Sequence, residues 1–214
     1  MATTSASDNP RALASHDHPD GPARILVVCT ANIARSPLAA AMLAAEVQRR
    51  HLGACIRVDS AGVRARPGHP AAEHTLTVAA RRGLDLRAHR SRPTIDAAPE
   101  GADLVLTMSQ RQRDHLGGSY AGMAARVFSL PELARLLAPV DPAPLPPPGG
   151  VRLRAATRAA HLQRPRSTPG PEEDVTDPYG QPERAYEDLA ARLDGLLAAV
   201  APALLGPVSG VPPR

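Results

Sequence analysis

Several things are nearly missing from this chain, and each shortage removes a class of protein. Its 214 residues include two cysteines, no tryptophan and no lysine, and aromatic side chains make up only 2%. Two cysteines cannot build the disulfide framework of a small secreted domain, nor by themselves a cysteine-rich zinc site. So few rings argue against a stacking platform for single-stranded nucleic acid. The core must be built from Ala, Val, Leu and Ile. No apolar run reaches the length of a membrane span. Residues 1–22 mix Ser, Asp, His and Pro without an apolar stretch, so neither signal peptide nor anchor is expected there. These shortages point to a cytoplasmic, reducing setting with free cysteines, no membrane partner and no nucleic-acid partner.

What is present is an ordinary globular composition, 43% hydrophobic and 21% charged, with a net charge of +4. That balance permits a phosphate-bearing or acidic partner without requiring one. Apolar patterning predicts strands over 24–28, 56–60, 102–108 and 125–128. Helices are expected over 38–50 (opened by Pro37), 70–82 (closed by Gly83), 109–116, 130–137 and 182–205. Strands alternating with helices imply right-handed crossovers and a parallel sheet covered on both faces. A single α/β domain over 24–205 is expected, between a disordered tail at 1–23 and a C-terminal tail at 206–214. Within it, 138–173 reads as a mobile Pro- and Arg-rich insertion, with a possible helix at 151–164. Its arginines, Arg152, Arg154, Arg158, Arg164 and Arg166, read as a solvated loop.

One loop carries chemistry. Cys29-Thr30-Ala31-Asn32-Ile33-Ala34-Arg35-Ser36 joins the end of the first strand to the start of a helix, the edge of a parallel sheet where ligands bind. A helix start offers unpaired N–H groups and a partial positive charge, which favour an anion. Arg35 can fold back and grip two oxygens at once, and the same surroundings stabilise a Cys29 thiolate. A nucleotide-binding loop needs glycines for close approach of a pyrophosphate. This loop has none, so a compact phosphate-sized anion suits it better. No histidine spacing makes a metal site: His69 and His74 are five apart, and His16 and His18 lie in the tail. Neither metal nor cofactor is expected.

The run Val28 to Pro37 closely resembles the signature of the low-molecular-weight protein tyrosine phosphatases. The resemblance covers residue 24 to about 137 and resumes from 174 to about 200. It includes Asp59-Ser60-Ala61-Gly62, the His89 segment and, far downstream, Asp177-Pro178-Tyr179. It implies a three-layer α/β sandwich with a four-stranded parallel sheet and helices on both faces. It also implies a cysteine-dependent phosphomonoester hydrolase acting on a phosphotyrosine protein or aryl phosphate, with a tyrosine kinase of the same system as a possible partner and a monomeric state.

Under this resemblance Cys29 is the nucleophile, Arg35 the phosphoryl clamp and Asp177 the general acid. Thr30, Ala31, Asn32, Ile33, Ala34, Ser36 and Tyr179 bind substrate, and Ser60 and His89 support the loop. Asn32 suits left-handed backbone and is expected to support the loop with its side chain, and Ser36 either hydrogen-bonds the thiolate or simply caps the helix. Three departures stand out. Ala31 replaces a glycine common in relatives, with strain expected if its φ is positive. Ala34 replaces a second cysteine, removing a neighbouring-thiol route for protecting an oxidised nucleophile. Gly180 leaves one wall of the cleft open. Cys55 reads as a small core residue. Two rival activities remain: arsenate reduction coupled to a small thiol, and non-catalytic phosphate binding as a regulatory module.

Overall fold

A computed structural model describes residues 21–120, 122–168, 170 and 174–207. Most of the expected N-terminal tail (1–20) and of the C-terminal tail (208–214) lies outside these residues. In chain order the elements are β1 (Ala23–Cys29), α1 (Arg35–Arg49), β2 (Ile56–Gly62), α2 (Glu73–Arg81), β3 (Leu104–Thr107), α3 (Gln110–Ser119), β4 (Val127–Ser129), α4 (Leu130–Leu137), α5 (Gly150–Gln163) and α6 (Glu183–Leu205). The sheet is wholly parallel, in the order β2-β1-β3-β4.

β1 is buried on both faces because its alternating residues feed two separate cores. Ile25, Val27 and Cys29 enter the larger one, with α1, α4, α5 and α6, while Leu26 and Val28 enter the smaller one beside Leu116 of α3. The result is a three-layer α/β sandwich with helices on both faces. From β1 the chain crosses to β2 on one side, then returns to place β3 on the other. The loops after β1 and β3 therefore part from each other, leaving a crevice at the carboxyl ends of these strands. Cys29 is the last residue of β1 and stands at that crevice.

The 138–173 segment corrects the expectation of a mobile, solvated insertion. Its helix α5 packs Leu153, Ala156 and Ala160 into the main core. Arg152, on the same helix, is only 4% exposed. Its guanidinium donates to the carbonyls of Ala203 (2.9 Å), Pro202 (2.9 Å), Pro146 (2.8 Å), Pro142 (3.1 Å) and Leu145 (3.3 Å). Two of these belong to the last turn of α6, where carbonyls have no partner within the helix and a cation is favoured. Arg154 pairs with Asp103 at 3.4 Å, and Arg164 with the buried Glu132 at 3.0 Å. Only Arg158 and Arg166 remain exposed as that reading anticipated.

Candidate active site

The helix after the loop starts at Arg35, two residues before Pro37, and its first internal bond runs from Leu38 N to Ala34 O at 3.2 Å. The amides of Ala31, Ile33 and Ala34 make no hydrogen bond among the described residues. That of Arg35 precedes the first helical bond, so it too is free. A ring of unpaired donors thus surrounds the end of β1. Asn32 N, by contrast, donates to Cys29 Sγ at 3.3 Å, and Ser36 Oγ lies 3.0 Å from the sulfur on its other side. Ser36 Oγ is also 3.2 Å from the Ala61 carbonyl. Its single proton can serve the carbonyl while the thiol is neutral and the sulfur once it is a thiolate. Ser36 is not the N-cap, a position held by Ala34 without any side-chain cap.

Asn32 is the keystone beneath the loop. It takes left-handed backbone, with φ 57°. Its side-chain amide donates to Ser36 Oγ and Ser60 Oγ, both at 2.9 Å, and its side-chain oxygen accepts from Arg92 N at 3.0 Å. His89 Nε2 lies 2.8 Å from the Asn32 carbonyl oxygen, to which it donates. Burial is the main influence on His89 and pushes its imidazole below the ordinary value, helped by the cations Arg90 and Arg92 and opposed by that hydrogen bond. Asn32 and Ser36, named among the substrate-binding residues, are both completely buried. Their side chains hold the loop from behind, which is the supporting role also expected of Asn32. The strain expected at Ala31 is also absent, because the positive φ falls on Asn32 next to it.

A glycine is required at Gly62 for a different reason. A Cβ there would meet Thr30 O at 2.5 Å and Asn32 N at 2.9 Å. The catalytic loop passes directly over the end of β2, and Val63 N and Arg64 N donate to Cys29 O (3.0 Å) and Thr30 O (2.9 Å).

Arg35 is nearly buried and points along the crevice. It pairs with Asp177 and reaches Val175 O at 3.3 Å and Thr30 Oγ1 at 3.5 Å. Asp177 comes from the segment before α6, which docks at the end of β3. There Val175 N donates to Met108 O at 2.7 Å, and Asp174 accepts from Gln110 N at 2.8 Å. Asp177 also accepts from Tyr179 N at 3.3 Å, the turn-forming bond common for an aspartate before proline. Tyr179 is 66% exposed and stands at the cleft mouth rather than half-buried. Gly180 beyond it has φ 79° with nothing nearby, so that side of the mouth is open.

Cys29, Thr30, Ala31, Ile33, Ala34, Arg35, Asp177 and Tyr179 line one cleft of about 460 Å³. Four residues that the sequence reading passed over line it too: Arg64, Arg66, His69 and Ser91. Gln112 was passed over as well. It lies three residues after Ser109, a spacing that reads as a capping box. Ser109 does cap α3, but the Gln112 side chain turns away to Met108 N (2.9 Å) and Thr30 Oγ1 (3.1 Å), tying the catalytic loop to β3. Cys55 is exposed rather than in the core. It precedes Ile56, which pairs with Ala23 at the far end of β1 from Cys29. At about 3.3 Å per strand residue the two sulfurs are some 20 Å apart, too far for a disulfide. Among the described residues no group of three or more His, Cys, Asp or Glu could hold a metal ion, and no helix is long and apolar enough to cross a membrane.

Fold and site together define a class of protein, and the chain belongs to it: residues 24–136 match the low molecular weight phosphotyrosine protein phosphatase family. It is therefore an enzyme of that family. The chain is 36% identical over 109 residues to the probable low molecular weight protein-tyrosine-phosphatase EpsP of Ralstonia nicotianae, covering 51% of this chain and 71% of that protein. It is 33% identical over 108 residues to a protein-arginine-phosphatase of Bacillus subtilis, covering 50% and 70%. The crystal structure of a low molecular weight protein tyrosine phosphatase from T. tengcongensis superimposes with a TM-score of 0.60 at 28% identity, covering 83% of this chain and 97% of that one.

Proposed function

We propose that this protein hydrolyses phosphotyrosine in proteins, or a related aryl phosphate, through a phosphocysteine intermediate. The observation that carries this reading is the meeting of Arg35 and Asp177, 142 residues apart in the chain, in the cleft lined by Cys29. The phosphoryl oxygens take the free loop amides and the Arg35 guanidinium, displacing the Asp177 carboxylate from its pairing. Cys29 Sγ attacks phosphorus as the P–O bond to the phenol breaks, and protonated Asp177 gives its proton to the departing oxygen. Water then attacks the phosphocysteine, Asp177 takes its proton, and the S–P bond breaks to release phosphate. The Ser36 hydroxyl and Asn32 N–H stabilise the thiolate formed in that step.

The arginine-phosphatase relative supports a second reading, phosphoarginine hydrolysis. Ile33 and the exposed Tyr179 ring favour an aromatic leaving group. A departing guanidinium would meet Arg64 and Arg66, with Asp177 the only carboxylate among the described residues that line the cleft. Arsenate reduction through a second thiol of the chain is disfavoured by the distance of Cys55 from Cys29, and the version coupled to a small thiol is tested by arsenate-dependent oxidation of a thiol-recycling system. We infer a monomeric, cytoplasmic enzyme whose substrate is supplied by a tyrosine kinase of the same system. The test is kcat/KM on an aryl phosphate, a phosphotyrosyl peptide and a phosphoarginyl peptide, for the wild type beside Cys29→Ser and Asp177→Ala. The reading requires phosphotyrosine to be preferred, Cys29→Ser to be inactive, and Asp177→Ala to lose most on poor leaving groups. Phosphate binding without turnover would instead support the regulatory module.

A further inference from the structure

We propose that Arg64 and Arg66 make the cleft mouth a recognition surface for negative charge flanking the phosphotyrosine, whether carboxylate or a second phosphate, so that acidic phosphopeptides are preferred. This rests on the phosphatase reading above and names the kind of substrate it takes.

Both residues line the cleft and are exposed, and neither guanidinium has a hydrogen bond or ion pair among the described residues. Elsewhere, arginines beside carboxylates are paired with them: Arg24 and Arg92 with Asp59, Arg113 and Arg164 with Glu132. Among the described residues that line the cleft no such partner is available: Asp177 is the only carboxylate there, and Arg35 already neutralises it. Within the described residues the two rim charges are therefore uncompensated beside the cleft lined by Cys29.

Their backbone is held in place. Arg64 N donates to Thr30 O of the catalytic loop at 2.9 Å, and Gly62 N to Arg92 O at 3.0 Å. The Arg66 carbonyl accepts from Ser91 Oγ at 2.5 Å, and Ser91 Oγ in turn accepts from His69 N at 3.1 Å. Gly68 N donates to Ser91 O, and Ser91 N to His69 O, both at 2.8 Å. Buried Ser91 thus anchors the loop at four points. The side chains are exposed and free to turn, but their origins are fixed relative to Cys29. An arginine so placed offers a planar fork matched to carboxylate or phosphate oxygens. Because the pair sits in water, its effect is on encounter and specificity, and it weakens with salt.

The test compares phosphotyrosyl peptides with Asp/Glu, neutral or Lys/Arg flanks, and one with a second phosphotyrosine. It is run at low salt and at about 0.5 M NaCl, with p-nitrophenyl phosphate as the substrate without flanks. The wild type is expected to favour the acidic peptide over the neutral one by ~10-fold in kcat/KM at low salt, and by ~2-fold or less at high salt. In the Arg64→Gln/Arg66→Gln double variant the preference should fall to ~2-fold, a loss well beyond any change on p-nitrophenyl phosphate. An acidic preference undiminished in the double variant, or no preference in a wild type that turns over p-nitrophenyl phosphate, overturns the proposal. A gain confined to the doubly phosphorylated peptide assigns the rim to phosphate, and equal gains assign it to charge in general. Peptide binding to Cys29→Ser, followed by fluorescence polarisation, gives the same comparison without turnover. If p-nitrophenyl phosphate is not hydrolysed, the catalytic reading fails while the binding series still decides the rim.

Discussion

Arg35 and Arg152 are almost equally buried, at 6% and 4% exposed, yet their surroundings differ in kind. Arg152 is surrounded by carbonyl oxygens, five of which accept from it. Arg35 has one carboxylate, one carbonyl and a long contact to a hydroxyl, and it faces a cleft ringed by unpaired amides. The first arginine has spent its donors on the fold. The second holds a partner that an incoming phosphate can displace. Burial alone separates them not at all; what separates them is whether the hydrogen bonds are already complete.

That contrast can be broken by substitution. The largest effect is expected from Arg35→Lys, which keeps the charge but loses the fork. It should lower kcat/KM on an aryl phosphate by about 10³-fold while leaving thermal stability close to wild type. Arg152→Ala should do the reverse. Orphaning the carbonyls of Ala203, Leu145 and Pro146, and removing one of two donors from those of Pro202 and Pro142, should cost about 3 kcal/mol, or roughly 10 °C in Tm, with kcat within about twofold of wild type when assayed well below the melting point. Equal losses of activity and stability in both variants would erase the distinction. Asp177→Asn keeps the contact to Arg35 without an acidic proton, and should lower kcat by about 10²-fold, more for phenols of high pKa. A loss that ignores the leaving group would remove Asp177 from proton transfer.

The smallest effect concerns His89. Its folded-state imidazole is held below the ordinary value by burial, so the unfolded chain takes up a proton at higher pH than the folded protein does. Between the depressed value and about 6.5, protons favour the unfolded state and stability rises with pH. Denaturant midpoints across pH 5–8 should show a slope in wild type that is reduced in His89→Gln. An unchanged slope would mean that His89 is not the titrating group.

Much of the site was legible because it is local. The strand, loop and helix around Cys29 occupy consecutive residues, and Pro37, Asn32 and the absence of glycine each restrict the backbone there. Asp177 was legible only by resemblance, since nothing in its own neighbourhood distinguishes a general acid from a turn residue; its carboxylate does accept the turn-forming bond from Tyr179 N. Gln112 went unread for the opposite reason. Its spacing from Ser109 satisfies a local rule, while its side chain answers to Thr30, 82 residues away.

Composition and period settled the architecture: alternating apolar strands and Ala/Leu helices leave a parallel sheet as the arrangement that buries both faces of β1. They also pointed to the Cys29–Ser36 loop as the place for an anion, because a strand running into a helix start presents its amides there in any such sheet. Which arginines would be structural and which available was decided by packing. Arg152 looked like part of a solvated basic run until the end of α6 arrived beside it, and Arg64 and Arg66 looked unremarkable until β2 paired with β1 and carried them to the rim. Cys55, taken for a core residue, lies at the exposed end of the sheet opposite Cys29. Long-range neighbours complete or withhold a side chain's hydrogen bonds, and no pattern confined to adjacent residues records who those neighbours are.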